Sequence, residues 1–262
     1  MNYPLYQVDA FTDSLFKGNP ACVVPLKAWL PDKILLKIAK ENAVAETAFF
    51  IDCGDHFQLR WFTPDIEMDL CGHATLAASH VIKSILKYSK KELLFKTING
   101  DLSVTSNGEL YYLNLPSRPA SKTELPSQIK LALSHQPQQI FKSRDYLLVY
   151  KNKEQIKQLQ INRALFDKIN LGQGGVIVTA KGTHNDFVSR FFTPQATILE
   201  DPVTGSAHCS LIPFWSSILS KQNMLASQLS ERGGHIKCQN LNERVIIGGQ
   251  AILFSFGEFY IH

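Results

Sequence analysis

One glutamate in this sequence sits among small and apolar residues, which is an unusual setting for a carboxylate. Glu46 lies in the stretch ENAVAETAFF, between a helix predicted to end near Asn42 and a strand predicted over residues 47–51. A carboxylate shielded from water suits a group that takes a proton and returns it near neutral pH. The alternative is an exposed loop glutamate. We interpret Glu46 as a general acid/base, because only one half of the chain carries it.

Two glycines each stand where a loop enters a long predicted helix. They are Gly72 in CGHAT and Gly205 in TGSAH. The first N–H groups of a helix lack intrahelical partners, the helix dipole favours an anion there, and glycine allows close approach. We therefore predict that Gly72, Gly205 and Ser206 bind an anionic group of a substrate. The alternative is that Ser206 and Thr204 only cap the helix and Gly205 makes the turn.

A histidine and an aspartate accompany these helix starts. His73 opens the first helix, and Asp201 begins the stretch DPVTGSAH before the second. His73 could bind a substrate hydroxyl or carboxylate or relay a proton, and Asp201 could hold a substrate amine. A polar cap and a loop residue are the alternatives. The predicted catalytic residues are Glu46, His73 and Asp201.

The pattern F-x-x-R-x-F-T-P occurs twice, at residues 57–64 and 130 positions later at residues 187–194. Gly72 and Gly205 are 133 positions apart in a chain of 262 residues. Two halves of one duplicated unit explain this spacing better than a solenoid, whose repeats are about 20–50 residues long. The position 130 residues after Glu46 is Val176, so the second half has no matching acid.

Each half alternates strands with one long helix, which predicts an α+β unit used twice. We expect strands at residues 57–62, 176–179 and 187–192, and long helices at 73–87 and 206–221. A segment rich in proline and serine near the midpoint predicts a linker at 117–127. The predicted domains are residues 1–116 and 128–262, with final strands that can pair across the halves.

Several other chemistries are disfavoured by the sequence. A two-thiol racemase needs a second cysteine at the position in the other half that is equivalent to Cys71. That position is Thr204. We therefore assign Cys71 to packing. Cys71 and His73 give only two metal ligands, so we predict no metal. LGQGGV lacks the third glycine of a dinucleotide loop, and TGSAH lacks the G-x-S-x-G pattern of a hydrolase nucleophile.

Composition limits the partners. The formal net charge is +4, and hydrophobic residues make up 45% of the chain, without a basic and aromatic stripe that would indicate nucleic-acid binding. No run of apolar residues is long enough to span a membrane. Five cysteines without a C-x-x-C pair, and no signal peptide in MNYPLYQVDAF, lead us to expect a reduced, cytoplasmic protein.

Together these motifs resemble the phenazine-biosynthesis PhzF-like isomerase family. The shared blocks are QVDAFT, GNPACVV, ENAVAETAFF, RWFTPDIEMDLCGHATLA, EDPVTGSAHCSL and ERGG. The resemblance implies a diaminopimelate-epimerase-like α+β fold with two pseudo-symmetric halves, each a barrel-like sheet around a central helix. It also implies an active site between the halves, a homodimer and no cofactor. In it Glu46 matches the acid/base, His73, Asp201 and Ser206 match other polar groups, and Gly72 and Gly205 match the helix starts.

The expected function is a cofactor-independent isomerase that moves a proton between carbons of a small carboxylate-bearing metabolite. Glu46 would act as the single general acid/base in the cleft between the halves. Two alternatives stay open at this point. One is an epimerase or racemase on the same scaffold, and the other is a non-catalytic protein that binds small carboxylates.

Overall fold

Strands and a few helices make up residues 1–261, the part of the chain that the structure, a computed structural model, describes. The chain forms two units. The first comprises Met1–Leu115 and the segment from Ile247 onward, and the second comprises Pro116–Ile246. The last strand therefore belongs to the unit that contains the first strand.

The first unit is built mainly of strands whose side chains alternate between buried and exposed positions, as expected for a sheet with one covered face. Its amphipathic first helix buries Leu35, Ile38 and Ala39 and ends where Ala43 turns left-handed. The elements are β1 (Asn2–Ala10), β2 (Asn19–Leu26), α1 (Asp32–Asn42), β3 (Glu46–Asp52), β4 (Phe57–Phe62), β5 (Glu67–Met68), α2 (Gly72–His80), β6 (Glu92–Thr97), β7 (Gly100–Asn107) and β8 (Leu110–Pro116).

Helix α2 is the central helix of this unit. Every residue from Gly72 to Ser79 is buried, and the helix packs against β1, β2 and β3. Glycine, alanine, serine and threonine dominate its sequence, and such small side chains allow strands to pack against it on several sides. The hydroxyls of Thr75 and Ser79 donate to the carbonyl oxygens of Cys71 and Thr75, so these buried polar groups are satisfied within the helix.

The second unit also combines strands with one long helix, and it adds three short helices. Its elements are β9 (Ser121–Lys122), α3 (Ser127–Ala132), β10 (Gln139–Lys142), β11 (Tyr146–Val149), α4 (Lys153–Gln158), α5 (Arg163–Phe166), β12 (Val176–Lys181), β13 (Phe187–Phe192), β14 (Glu200–Asp201), α6 (His208–Leu219), β15 (Asn223–Gln228) and β16 (Gly234–Asn240). Strand β17 (Arg244–Gly249) begins in this unit, and its residues from Ile247 onward belong to the first. The last strand of the chain, β18 (Ala251–Tyr260), pairs with β1 in the first unit.

Helix α6 is buried over most of its first two turns. Trp215 stacks on Phe187, and its indole N–H donates to the hydroxyl of Thr179 at 2.9 Å. An apolar cluster formed by the strands and short helices of this unit includes Leu148, Phe166 and Val178. The predicted α+β class is therefore observed in both units.

The same order of strand pairings occurs in each unit. β2 and β3 are parallel, as are β11 and β12; β3 and β4 are antiparallel, as are β12 and β13. The arginine of each F-x-x-R-x-F pattern forms a bidentate ion pair with a glutamate on the next strand. Arg60 pairs with Glu67, and Arg190 pairs with Glu200.

The predicted strands at residues 57–62 and 187–192 have the predicted bounds. Both long helices are shorter than predicted. The first changes at Val81–Ile85 into a wider π-helical turn, which ends before left-handed Lys87. The second begins only at His208, because the N–H groups of His208 and Cys209 bond to the carbonyl oxygens of Gly205 and Ser206 in a tighter turn.

The segment predicted as a linker is hydrogen-bonded within the second unit. The N–H of Ser117 donates to the carbonyl of Glu243, and the N–H of Arg118 donates to that of Cys209. The hydroxyl of Ser210 donates to the carbonyl of Arg118 at 2.7 Å. Among residues 1–261, no helix has both the length and the apolar character required to cross a membrane.

Candidate active site

Three elements of the first unit begin at the same place. β2 and β3 are parallel, with Ala21 opposite Glu46, so both strands start at one edge of the sheet. Asn19 is the first residue of β2, Glu46 is the first residue of β3, and Gly72 is the first residue of α2. The side chains at these starts therefore converge at one end of the unit.

His73 joins them. Its Nε2 lies 3.1 Å from Oε2 of Glu46, and its Nδ1 lies 3.0 Å from the amide nitrogen of Asn19. The side chain of His73 is 2% exposed and that of Glu46 is 12% exposed. An amide N–H donates to a ring nitrogen without a proton, so the second ring nitrogen carries the proton. In this tautomer the Nε2 proton of His73 faces the Glu46 carboxylate.

Cys71 is the next neighbour, with its sulfur 3.6 Å from Nδ1 of His73. Burial raises the pKa of the Cys71 thiol to about 11, so the thiol stays protonated at neutral pH. Burial acts to lower the pKa of His73, and the neighbouring Glu46 carboxylate acts to raise it. With Nδ1 occupied by the side-chain amide of Asn19, the ring proton lies on Nε2 beside Glu46.

The start of α2 lies beside this cluster. Cys71, the residue before the helix, is extended, and its carbonyl accepts the N–H of Thr75. Its sulfur is directed to His73. The N–H groups of the first helical turn, including that of Gly72, belong to the set that has no carbonyl partner inside the helix. This end of the unit combines a carboxylate, an imidazole and the positive end of a helix dipole.

In the second unit, Asp201 is held by a network in front of α6. The hydroxyl of Thr204 donates to Oδ2 of Asp201 at 2.6 Å. The side-chain amide of Gln228 donates to the carbonyl of Asp201 and accepts from the N–H of Thr204. This network fixes the loop that carries both Asp201 and Gly205.

Ser206 has a different partner. Its hydroxyl oxygen accepts from Nη2 of Arg144 at 2.9 Å, which leaves the Ser206 proton to be donated elsewhere. Arg144 also pairs with Asp145 at 3.0 Å, and Asp145, which is 2% exposed, accepts the N–H of Gly175. A cationic side chain thus lies at the turn that leads into α6.

Strand pairing corrects one expectation from the sequence. Phe62 and Phe192 are equivalent in the repeat, and they pair with Thr47 and Val176 respectively. The counterpart of Glu46 is therefore Gly175, one residue before the predicted Val176. Glycine cannot supply an acid, so the conclusion that this position lacks a carboxylate in the second unit is unchanged.

The structure brings Glu46 and His73 into contact and places Asp201 and Ser206 in the turn region before α6. Asn19, Arg144 and Gln228 were not predicted as site residues from the sequence. Asn19 lies in the block GNPACVV, which is part of the family resemblance, and this motif could have indicated it as a site residue. Arg144 and Gln228 lie in no motif, and only their tertiary contacts reveal them.

Comparison with known proteins places the chain in a family. A family model described as a phenazine biosynthesis-like protein, PhzC-PhzF, matches residues 8–257. The chain belongs to the phenazine biosynthesis-like family. A relative from Pseudomonas aeruginosa, described as an uncharacterized isomerase, is 41% identical over 100% of both chains. A human phenazine biosynthesis-like domain-containing protein is 38% identical over 90% of this chain and 91% of its own.

Solved structures agree with this family assignment. A PhzF family protein from Enterococcus faecalis has a TM-score of 0.92 at 43% identity, with 100% of both chains covered. A hydroxyproline epimerase from Agrobacterium vitis has a TM-score of 0.66 at 8% identity over 98% of this chain and 92% of its own, which shows a shared fold alone. These structures confirm the predicted diaminopimelate-epimerase-like fold, and the relatives described as isomerases confirm the general isomerase class.

Proposed function

We propose that this family member is a cofactor-independent isomerase that moves a proton between two carbons of a small carboxylate-bearing metabolite. The observation that carries the proposal is the buried pair of Glu46 and His73, 3.1 Å apart, at the start of a helix. Glu46 is the general acid/base. It removes a proton from one carbon and returns a proton to another carbon on the same face of the substrate.

His73 serves this chemistry by holding the carboxylate in place. Its Nε2 proton faces Glu46, and Asn19 contacts the opposite ring nitrogen, so the ring is oriented from both sides. A base that is fixed before the substrate arrives loses little freedom during proton transfer. Because the pair is shielded from water, its charges interact more strongly than they would in solution.

The starts of the two long helices bind the anionic group of the substrate. Gly72 allows an anion to approach the first turn of α2, and Gly205 and Ser206 form the turn before α6. Arg144 supports the second site because it donates to Ser206 and adds positive charge. Asp201, held by Thr204, is available to orient a polar group of the substrate, such as an amine.

The presence of a single base favours a proton shift between two carbons rather than inversion at one carbon. Inversion usually needs an acid or base on each face of the carbon, and the position equivalent to Glu46 is Gly175. Thr204 also stands where a second racemase thiol would be required, and its hydroxyl is bonded to Asp201. The repeated pairing order of the two units supports an origin by duplication, followed by loss or gain of one acid.

The proposal is tested by proton exchange. The protein is incubated in deuterated water with a panel of small amino and hydroxy carboxylates, including a dihydro-hydroxyanthranilate, and carbon-bound protons are followed by NMR. We expect exchange or double-bond migration with one substrate class. Glu46→Gln should abolish it while ligand binding and the unfolding transition stay nearly unchanged.

The matched control is Glu67→Gln, which removes another partly buried carboxylate, the partner of Arg60. This variant should lose some stability and keep its exchange activity. Exchange that survives Glu46→Gln would contradict the proposed base. Binding of carboxylates without exchange of any proton would favour the non-catalytic alternative, and inversion of an optically pure substrate would favour an epimerase.

A further inference from the structure

The side-chain amide of a buried glutamine holds one short loop of the second unit. Gln228 is the last residue of β15 and is 1% exposed. Its Nε2 donates to the carbonyl oxygen of Asp201 at 2.7 Å and to the hydroxyl of Thr204 at 3.1 Å. Its Oε1 accepts the N–H of Thr204 at 2.9 Å. Both N–H groups and the oxygen of this amide therefore bind the segment between Asp201 and Thr204.

The direction of these hydrogen bonds is fixed by the backbone. The N–H of Thr204 can only donate and the carbonyl of Asp201 can only accept, so the amide oxygen and nitrogen of Gln228 cannot be exchanged. Because Nε2 can only donate, the Thr204 hydroxyl accepts from it and directs its own single proton to its other neighbour. That neighbour is Oδ2 of Asp201, 2.6 Å away. The hydrogen bonds therefore run from Gln228 through Thr204 to Asp201, whose Oδ2 is an acceptor.

The position of Asp201 has a counterpart in the first unit that carries no acid. Asp201 pairs with Phe191, and Met68 pairs with Trp61 at the equivalent place on β4. A methionine side chain has no hydrogen-bond donor and only a weak acceptor. The same strand pairing therefore forms in the first unit without a carboxylate at this position.

The two residues that hold Asp201 are also replaced in the first unit. Thr204 corresponds to Cys71 in the repeat. β15 is parallel to β13 as β6 is parallel to β4, and continuing that register places Thr97 at the position of Gln228. The hydroxyl of Thr97 donates to a carbonyl within its own hairpin. Since the first unit builds the same pairings with none of these three side chains, the fold does not account for the network.

We propose that Gln228 and Thr204 are positioning residues that orient the carboxylate of Asp201 toward the substrate. This inference rests on the substrate-binding role that the proposed function gives to Asp201. The two residues fix Oδ2 as an acceptor and hold the backbone that leads to Gly205, so the carboxylate is oriented before the substrate arrives. Because an ionised carboxylate only accepts, the substrate group that Asp201 contacts is a hydrogen-bond donor, such as an ammonium or hydroxyl group.

The direction of the hydrogen bonds is tested without any substrate. In perdeuterated full-length protein with labelled threonine, a buried and hydrogen-bonded hydroxyl proton exchanges slowly with water and gives an NMR signal. We expect this signal for Thr204, which is 5% exposed. Gln228→Met removes the amide at similar size and should shift the signal or broaden it into the water resonance. A wild type without a protected Thr204 hydroxyl proton, or a signal unchanged in Gln228→Met, would overturn the proposal.

Binding of a matched ligand set, measured by calorimetry, tests the positioning. The probes are cyclohexanecarboxylate and its amino and hydroxy derivatives, which carry the added group on the adjacent ring carbon. We expect one derivative to bind the wild type roughly tenfold more tightly than the parent compound, the scale of one hydrogen bond to a charged group. The identity of the preferred derivative distinguishes an amine from a hydroxyl. Thr204→Val and Gln228→Met should lose this preference, and Thr204→Ser, which keeps the hydroxyl, should retain it.

Thr179→Val is the matched control, because Thr179 is another fully buried threonine of the second unit. Its hydroxyl donates to the carbonyl of Val188 and accepts from the indole of Trp215. The loss of this hydroxyl should lower stability in a urea titration and leave the ligand preference unchanged. Circular dichroism confirms that each variant is folded.

Two binding results would contradict the positioning role. They are a wild type that prefers neither derivative, and a preference that folded Thr204→Val retains. An equal loss of preference in Thr179→Val and Thr204→Val would also contradict it, since the effect would then come from lost stability alone. If the preference and its loss follow the expectation while no compound exchanges a proton, the positioning of Asp201 stands and the proposed isomerase function fails.

Discussion

The side chains of Asn19 and His73 meet at 3.0 Å inside the first unit, although they are 54 residues apart in the sequence. Both are almost completely buried. The amide occupies one ring nitrogen of His73 and so directs the other ring nitrogen to Glu46. The contact thus decides which atom of the imidazole faces the proposed base.

Asn19→Ala should disturb the orientation and the tautomer of His73. We expect the rate of proton exchange to fall by roughly tenfold, a part of the ~10²–10⁴-fold that a positioned acid/base typically contributes. The ¹⁵N chemical shifts of the His73 ring, which report the protonated nitrogen, should change as well. Asn107→Ala, on an exposed strand end, is the control. An unchanged ring tautomer together with an unchanged rate would show that Asn19 has only a packing role.

Arg144 should determine how well the substrate anion binds. Replacement by Met leaves the buried carboxylate of Asp145 without its ion-pair partner, which typically costs about 3–5 kcal/mol of folding free energy. The double variant Arg144→Met, Asp145→Asn should recover much of this stability, because both charges are removed. It should still show a raised KM with a smaller change in kcat, since Ser206 has lost its donor. A double variant with wild-type KM would remove Arg144 from substrate binding.

His208 should make the protein less stable in acid. Burial lowers its pKa to about 4, and its Nδ1 lies 2.8 Å from the carbonyl oxygen of Thr204, to which it donates. The unfolded chain takes up a proton near the ordinary histidine pKa of ~6.5, whereas the folded chain does not. The stabilising contribution is therefore complete above about pH 6.5 and is lost as the pH falls toward 4. The expected loss between about pH 7 and pH 5 is on the order of 2 kcal/mol.

Urea unfolding of His208→Gln at both pH values checks this assignment. Glutamine keeps a donor for the carbonyl of Thr204 but does not titrate, so the difference in unfolding free energy between the two pH values should shrink. His184→Gln changes an exposed histidine and should leave the difference as it is in the wild type. If both variants retain the full loss at low pH, another group is responsible.

Gly175 should not tolerate a side chain. A Cβ at this position would meet the ring of Phe191 and would lie 2.8 Å from the carbonyl oxygen of Phe192. Gly175→Ala should therefore destabilise the protein by roughly 1–3 kcal/mol, as overpacking does. Gly257→Ala, where a Cβ meets open space, should stay within about 0.5 kcal/mol of the wild type in the same urea titration. An equal effect of both substitutions would contradict the steric argument.

Several features were determined by the sequence itself because they depend on neighbouring residues. The strands Phe57–Phe62 and Phe187–Phe192 follow from local apolar patterning and a Thr-Pro turn, and the repeat of that pattern predicts two similar units. The apolar residues that flank Glu46 predict a shielded carboxylate, and its role as acid/base stays a prediction. The helix ends were less accurate, since no local pattern in the sequence predicted the change to a π-helical turn after His80.

The tertiary structure alone decided which side chains meet. Asn19, Glu46 and His73 come together because two parallel strands and a helix start at one edge, and parallel pairing joins segments that are distant in the chain. The strand register, set by hydrogen bonds along the whole ladder, makes Gly175 the counterpart of Glu46, where sequence spacing had indicated Val176. Arg144 donates to Ser206, which is 62 residues away in the sequence. Local chemistry can be predicted from residue types, whereas contacts between distant residues are fixed by register and packing.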